Sequence, residues 1–365
     1  GVNAGLELTG ACPEGTMPFK TQTNPVYDIC VHIHPHLADS ALTAEGHWGG
    51  CATLRNWAFL LVGVMKVYVA NSVEDREAAM RMRPRLLFLD VGAHIGMCSI
   101  YFAALGDSSW NGTAPENFPA ELQELPLLDV VAVEPDPFHA AMIRASAAMN
   151  QVEGVVRVVE RVAWNSDDEL QEFRRFDFLH SAGSYVPPPH GGIFAMEEAS
   201  RSIQSQEILM ADRFRKSVSQ LPTATLDGIL LDAHREKRVV IMKLDVEGQE
   251  MNVLRGAQGL FDQDLVLLVY FEFAATLRRD GSSGADLLRF FLNNRFVLMC
   301  FQDCAETIPS FRERQIKEED IQTFMEMQVD NAFDMAAVHQ RSFSDDLVET
   351  LPVYFRGLSH LFSSR

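Results

Sequence analysis

The chain has few cysteines, no long apolar run and no cluster of basic charge, and each absence excludes something. Six cysteines, at 12, 30, 51, 98, 300 and 304 of 365 residues, are too few for a disulfide scaffold. Cys300 and Cys304 lack a second pair at zinc-ligand spacing, so no structural zinc is expected. Cys98 lies in an apolar stretch and reads as a core thiol. Cys12, Cys30 and Cys51 fall in a loop-rich N-terminal region and could include one disulfide in an oxidising lumen. Lys and Arg never gather into a longer run, and the formal net charge is −19. Phosphate-backbone binding needs clustered cations, so no nucleic-acid partner is expected. The longest apolar stretch near the start, Trp57 to Ala70, contains Lys66 and falls short of the roughly 20 residues of a membrane span. It reads as a buried helix or a helix–strand pair. The chain opens on Gly1, which leaves an upstream signal or anchor open, and with it the choice between cytoplasm and secretory-pathway lumen. The sequence carries no indication of oligomeric state.

What is present is a core-forming composition, 47% apolar and 22% charged, with a nucleotide-site signature inside it. Arg85 to Asp90 is an apolar run that ends in an acid, and Val91-Gly92-Ala93-His94-Ile95-Gly96 follows. An apolar stretch from Met97 to Leu105 comes next. This predicts a buried strand, a tight turn and a helix whose N-terminal amides face the turn; glycine there lets a ligand approach the backbone. The spacing is not the dinucleotide G-x-G-x-x-G. An acid just before the first glycine suits a ligand with its own ammonium group, such as S-adenosylmethionine (SAM). A second apolar run, Leu127 to Val133, ends in Glu134-Pro135-Asp136-Pro137, where an acid accepts hydrogen bonds from ribose hydroxyls. Glu134 lies 42 residues after Gly92. The excess over the usual roughly 20 reads as a surface insertion from Gly106 to Pro126. A glycosylation sequon, Asn111-Gly112-Thr113, sits inside it.

A third segment, Thr225-Leu226-Asp227, precedes Val239 to Leu244 and Asp245-Val246-Glu247-Gly248-Gln249-Glu250. A helix-like Asn252 to Ala257 and a strand from Leu265 to Tyr270, running on to Glu272, follow. With LDVGAHIG, VEPDP, Asn150, TLD, KLDVEGQE, LRGA and Glu272, the chain resembles the FkbM-type SAM-dependent methyltransferases. The KLDVEGQE block is the discriminating one. The N-terminal stretch from Ile29 to Trp48 also resembles the extension of eukaryotic-type members.

The resemblance implies an α/β fold, a Rossmann-like sheet that is mostly parallel with an antiparallel seventh strand. Residues 1–80 are expected to form an N-terminal cap, 81–345 the methyltransferase domain, and 346–365 a short basic tail. Val155 to Ala163 is expected as the third strand, 165–222 as a polar insertion, and Arg295 to Phe301 as the sixth strand. An acidic helix is expected from Ile316 to Val329, and Ala332 to His339 as the seventh strand. Cap and insertion would wall the substrate side.

In such a fold the cofactor-binding residues are Asp90, Gly92, Ala93, His94, Gly96, Glu134 and Ala163. A sulfonium methyl is already activated, so the enzyme must align a nucleophile and remove its proton. Asp245 and Glu247 are the expected catalytic acids, with Lys243 placed to pair with either. His94 reads as a neighbour of the cofactor rather than a base, and His180 and His190 as loop residues. The expected reaction is O-methylation of a hydroxyl on a small-molecule or glycan acceptor, a carbohydrate or secondary metabolite. Two alternatives stand beside it: metal-assisted O-methylation through Asp245 and Glu272, and a non-catalytic SAM-binding scaffold.

Overall fold

The computed structural model describes residues 11–23, 26–33, 86–106, 128–177, 182–185, 215–236, 238, 240–274, 281–300, 315–327 and 332–342. Cys51, Cys304, the Trp57–Ala70 stretch, nearly all of the Gly106–Pro126 insertion with its sequon, His180, His190 and the C-terminal tail lie outside the described residues. Among the described residues no helix is long and apolar enough to cross a membrane.

The chain opens with a hairpin of β1 (Thr16–Lys20) and β2 (Asp28–His32), closed by a disulfide between Cys12 and Cys30. It continues through β3 (Leu86–Val91), α1 (Met97–Gly106), β4 (Leu128–Val133), α2 (Pro137–Met149), β5 (Val156–Val159) and β6 (Val162–Ala163). Next come β7 (Leu170–Asp177), β8 (Ala182–Tyr185), β9 (Arg215–Ala224), α3 (Leu226–Ile229), α4 (Leu231–Glu236) and β10 (Val240–Leu244). The last elements are α5 (Glu250–Arg255), α6 (Gln258–Asp262), β11 (Val266–Ala274), α7 (Gly284–Asn293), β12 (Phe296–Cys300), β13 (Gln315–Ile316), α8 (Glu318–Met327) and β14 (Ala332–His339).

Eight strands form one sheet in the order β13-β12-β14-β11-β10-β3-β4-β5. The strands from β5 through β4, β3 and β10 to β11 are mutually parallel. β14 runs antiparallel to both β11 and β12, so the seventh strand is reversed as expected. β3 shows why its sequence is apolar throughout: Leu86 and Phe88 feed the core on one face, and Leu87, Leu89 and Val91 feed the other. A parallel strand covered on both faces has no solvent side. On the first face lie α1, α2 and the hairpin; on the second lie α3, α5, α6 and α7. α1 buries Ile100, Tyr101, Phe102 and Ala103 in succession, the pattern of a helix enclosed all round. In α2, Pro137 takes the first turn and the Asp136 carboxylate accepts from the Phe138 N–H, a regular helix start.

The hairpin is docked by specific polar contacts. Asn150, at the end of α2, accepts from the Asp28 N–H at 2.9 Å and donates to the Asp28 carbonyl at 2.6 Å. The Cys30 N–H donates to Ser146 Oγ at 2.9 Å, and the Tyr27 hydroxyl to the Met97 carbonyl at 3.2 Å.

One sequence expectation is corrected. The third strand is not continuous from Val155 to Ala163. β5 stays in the main sheet, while β6 pairs with β9 in a separate four-stranded sheet ordered β6-β9-β7-β8. Within the 165–222 span the chain forms strands, with β7 pairing with β9 antiparallel from Leu170↔Pro222 to Asp177↔Arg215.

Candidate active site

The C-terminal ends of β3 and β10 lie side by side where the strand order reverses, the place at which open α/β sheets bind ligands. The chain leaves β3 through a turn in which Gly92, His94 and Gly96 have φ of 78°, 52° and 86°. Glycine adopts such angles freely, whereas His94 does so against its side chain. The two glycines serve the chain itself before any ligand. A Cβ on Gly92 would stand 1.8 Å from the Asp245 carbonyl oxygen, and one on Gly96 would stand 2.7 Å from Ile143 Cγ1. The first lets β3 and the turn after β10 meet; the second seats α2 against the turn. Ala93 is buried beside them.

Glu134 holds this turn to the end of β4. Its two carboxylate oxygens accept from the His94 N–H at 2.8 Å and the Asp136 N–H at 2.9 Å, and the residue is 5% exposed. The Val133 carbonyl accepts from both Gly92 and Ala93 N–H. The His94 ring meets that of His139 edge-on at 4.5 Å, and His139 in turn meets His32 of the hairpin at 5.6 Å. The N-terminal hairpin thus reaches the glycine turn through a row of three imidazoles.

Asp90 is fully buried. Its Oδ2 accepts from the Ser99 hydroxyl at 2.7 Å, and its Oδ1 lies 3.5 Å from Lys243 Nζ. The ammonium beside Asp90 is therefore the chain's own. Of the two acids expected for it, Lys243 pairs with Asp245, lying 3.3 Å from its Oδ2, while its second partner is Asp90 and not Glu247; it also donates to the Gly92 carbonyl at 3.1 Å. Burial pulls the Lys243 ammonium down, but Asp245 and Asp90 outweigh it and hold it above the usual lysine range. The Asp245 side chain remains 40% exposed, and its N–H donates to the Val91 carbonyl.

Past Asp245 the chain turns through Glu247 and Gly248, with φ of 55° and 90°. Glu247 is exposed. Glu250 is buried and braces the turn, accepting from the Gly248 N–H at 3.0 Å and the Val246 N–H at 3.4 Å. The run of acids thus divides its labour: Glu250 builds the loop, Asp245 pairs with Lys243 and Glu247 is exposed. Asp227 is likewise a builder, accepting from the Gly259 and Leu260 N–H groups at the start of α6. Ala163 packs its methyl into the apolar core on the second face of the sheet, so its contribution to a ligand is limited to its place in the chain.

The sequence gives Glu272 a place in the family resemblance and a role only in the metal alternative. The register Leu244↔Phe271 at the end of β10 places it in step with Asp245, the next residue, and Glu272↔Asp334 places a further acid directly across. Desolvation, then repulsion from Asp245, Glu247, Asp334 and Glu250, pushes its carboxyl up to about 8. Glu272 is exposed, so water tempers the desolvation while the neighbouring like charges remain. Among the described residues no group of three or more His, Cys, Asp or Glu is arranged to hold a metal ion.

Comparison with known proteins places the chain. Loose superpositions exist on the precorrin-6y C5,15-methyltransferase of Geobacter metallireducens GS-15 (TM-score 0.27, 11% identity, 72% of this chain and 85% of that one). The same holds for the StiE O-MT, residues 961–1257 (TM-score 0.29, 11% identity, 77% and 79%). Superpositions that loose carry no argument about the chemistry here. No curated protein matches the chain. The profile described as the methyltransferase FkbM domain matches residues 90–298, which takes in the glycine turn, Glu134, the KLDVEGQE block and Glu272. The match covers more than half of the chain, and the protein belongs to the FkbM methyltransferase family.

Proposed function

We propose that this protein is a SAM-dependent O-methyltransferase acting on a hydroxyl of a carbohydrate or secondary-metabolite acceptor. The family implies SAM as methyl donor, and SAM supplies an activated methyl on a sulfonium centre. The residues present fit such a ligand. Each Glu134 oxygen uses one lone pair on a backbone amide and keeps another for a ribose hydroxyl. The edge beyond β10 and β11 presents the carboxyl groups of Asp245, Glu247 and Glu272, acidic side chains suited to a cationic centre. Asp90, Gly92, Ala93, His94 and Gly96 shape the cofactor side, with Ala163 at the start of the following loop. Asp245 and Glu247 line the methyl-transfer point.

The observation that carries the hydroxyl reading is this row of carboxylates beside the glycine turn. An alcohol must lose its proton as it attacks, and a carboxylate within reach is the simplest acceptor. The acceptor is a small molecule or glycan. The test is transfer of tritium from methyl-labelled SAM into a fractionated cell extract, followed by identification of the labelled species. Label on an oxygen of a small molecule or glycan is expected. Label on nitrogen or carbon, or no transfer, overturns the reading.

A further inference from the structure

We propose that Glu272 is the group that takes the proton from the acceptor hydroxyl. The inference rests on the methyl-transfer reading and names a residue within the same site.

Four acids cluster at this edge, Asp245, Glu247 and Glu250 after β10 and Glu272 within β11, and their surroundings differ. Asp245 is already committed, because Lys243 lies 3.3 Å from its Oδ2 and fixes the carboxylate beside the Gly92 carbonyl. A carboxylate so paired already has a cation for a partner, and a hydroxyl proton would have to compete with that ammonium for the same oxygen. Glu250 accepts backbone N–H groups within its own turn. Glu247 stands exposed on that turn, outside the strand. Glu272 is different. It sits within β11, next to Asp245 in register and opposite Asp334, and its side chain reaches solvent at the edge. No described cation pairs with it. Among the described residues, the charged groups that bear on it are Asp245 and Glu247 after β10, Glu250 of α5 and Asp334 of β14, all acidic, and Lys243 is occupied by Asp90 and Asp245.

This arrangement makes Glu272 a stronger base than an ordinary carboxylate, since its upward shift brings it close to the working pH, where general-base catalysis is most efficient. It also ties the base to the ligand. Glu272 gives up its own proton more readily once a positive charge sits beside it. In the transfer, the acceptor oxygen forms a bond to the methyl carbon as the carbon–sulfur bond breaks, with that electron pair leaving on sulfur. The hydroxyl proton passes to the Glu272 carboxylate and then to water, so the products are the methyl ether, S-adenosylhomocysteine (SAH) and one proton.

The test uses the whole protein with SAM and SAH as probes, in calorimetric titrations from about pH 6 to 9, a span chosen around the shifted carboxyl. The two ligands differ by a methyl and a positive charge, so their affinity ratio reads the charge next to the sulfur. In the parent, preference for SAM should grow roughly three- to tenfold with rising pH as Glu272 ionises. Glu272→Gln should flatten that rise, and Glu272→Asp should keep part of it. A residue that merely supports the fold would move both ligands together. In the tritium assay, Glu272→Gln should lose transfer by roughly 10²–10⁴-fold. A flat ratio in the parent, the same slope in Glu272→Gln, or normal transfer by that variant overturns the proposal. A parent that binds neither SAM nor SAH instead overturns the methyl-transfer reading, and this proposal with it.

Discussion

Replacing Lys243 by Met tests the centre of the site most directly. Its ammonium is within 3.5 Å of a carboxylate that has no access to water, and its own side chain is 13% exposed. Methionine matches the length of the stem and removes the charge. Removing one partner of a buried pair costs about 3–5 kcal/mol, because the other charge stays behind without compensation. Here the Ser99 hydroxyl still donates to Asp90 Oδ2, which favours the lower end, about 3 kcal/mol. The bond to Asp245 adds little, since that carboxylate is 40% exposed and water replaces the ammonium. For a chain of 365 residues about 3 kcal/mol corresponds to a fall in Tm of roughly 4 °C. The cleanest assay is a double-mutant cycle by thermal or urea unfolding with Lys243→Met, Asp90→Asn and the pair. The double variant should recover much of the loss, because the stranded charge is gone. A Lys243→Met protein as stable as the parent, or losses that simply add, would refute the view that Asp90 depends on Lys243.

Three further outcomes follow from the same geometry. Glu134→Ala should weaken SAM binding by roughly 1.5–3 kcal/mol and Glu134→Gln by less, read as Kd by calorimetry; parental affinity in Glu134→Ala would leave the acid a brace and no more. Gly92→Ala should abolish recovery of folded protein, since its Cβ would stand 1.8 Å from the Asp245 carbonyl, whereas Gly96→Ala meets only the Ile143 side chain and should fold with a loss of about 1–3 kcal/mol; circular dichroism and Tm decide. Glu272 binds its proton more tightly in the folded chain than in the unfolded one, so its contribution to stability is full below about pH 4.5 and is lost as pH rises through about 8. Glu272→Gln should therefore gain on the parent as pH rises from 5 to 9, and an unchanged difference in Tm across that range would contradict the shift.

Much of the frame was legible in the sequence because it is local. β3 is a run of apolar residues that ends at an acid and a glycine turn, and β14 occupies the span, Ala332 to His339, that the sequence predicts. What was not legible depends on partners far along the chain. Gly92 reads as a glycine that admits a ligand, yet the atom it makes room for belongs to Asp245. The division of Val155–Ala163 into two strands follows from β9, which draws β6 away from the main sheet. Glu250 and Asp227 look as catalytic as their neighbours until the amides they accept from are seen. Glu272 acquires its character only when three strands bring Asp245 and Asp334 beside it.

The disulfide has a consequence of its own. It joins Cys12 to Cys30 within the N-terminal hairpin, and does not cross to the domain on which that hairpin sits. The hairpin is therefore a cross-linked unit whose seat on the domain is non-covalent among the described residues: Tyr27 on the Met97 carbonyl, Cys30 on Ser146, Asp28 on Asn150. Any change that loosened this seat would also part the imidazole row from His32 to His94, so the glycine turn would register the loss of a contact made far outside it.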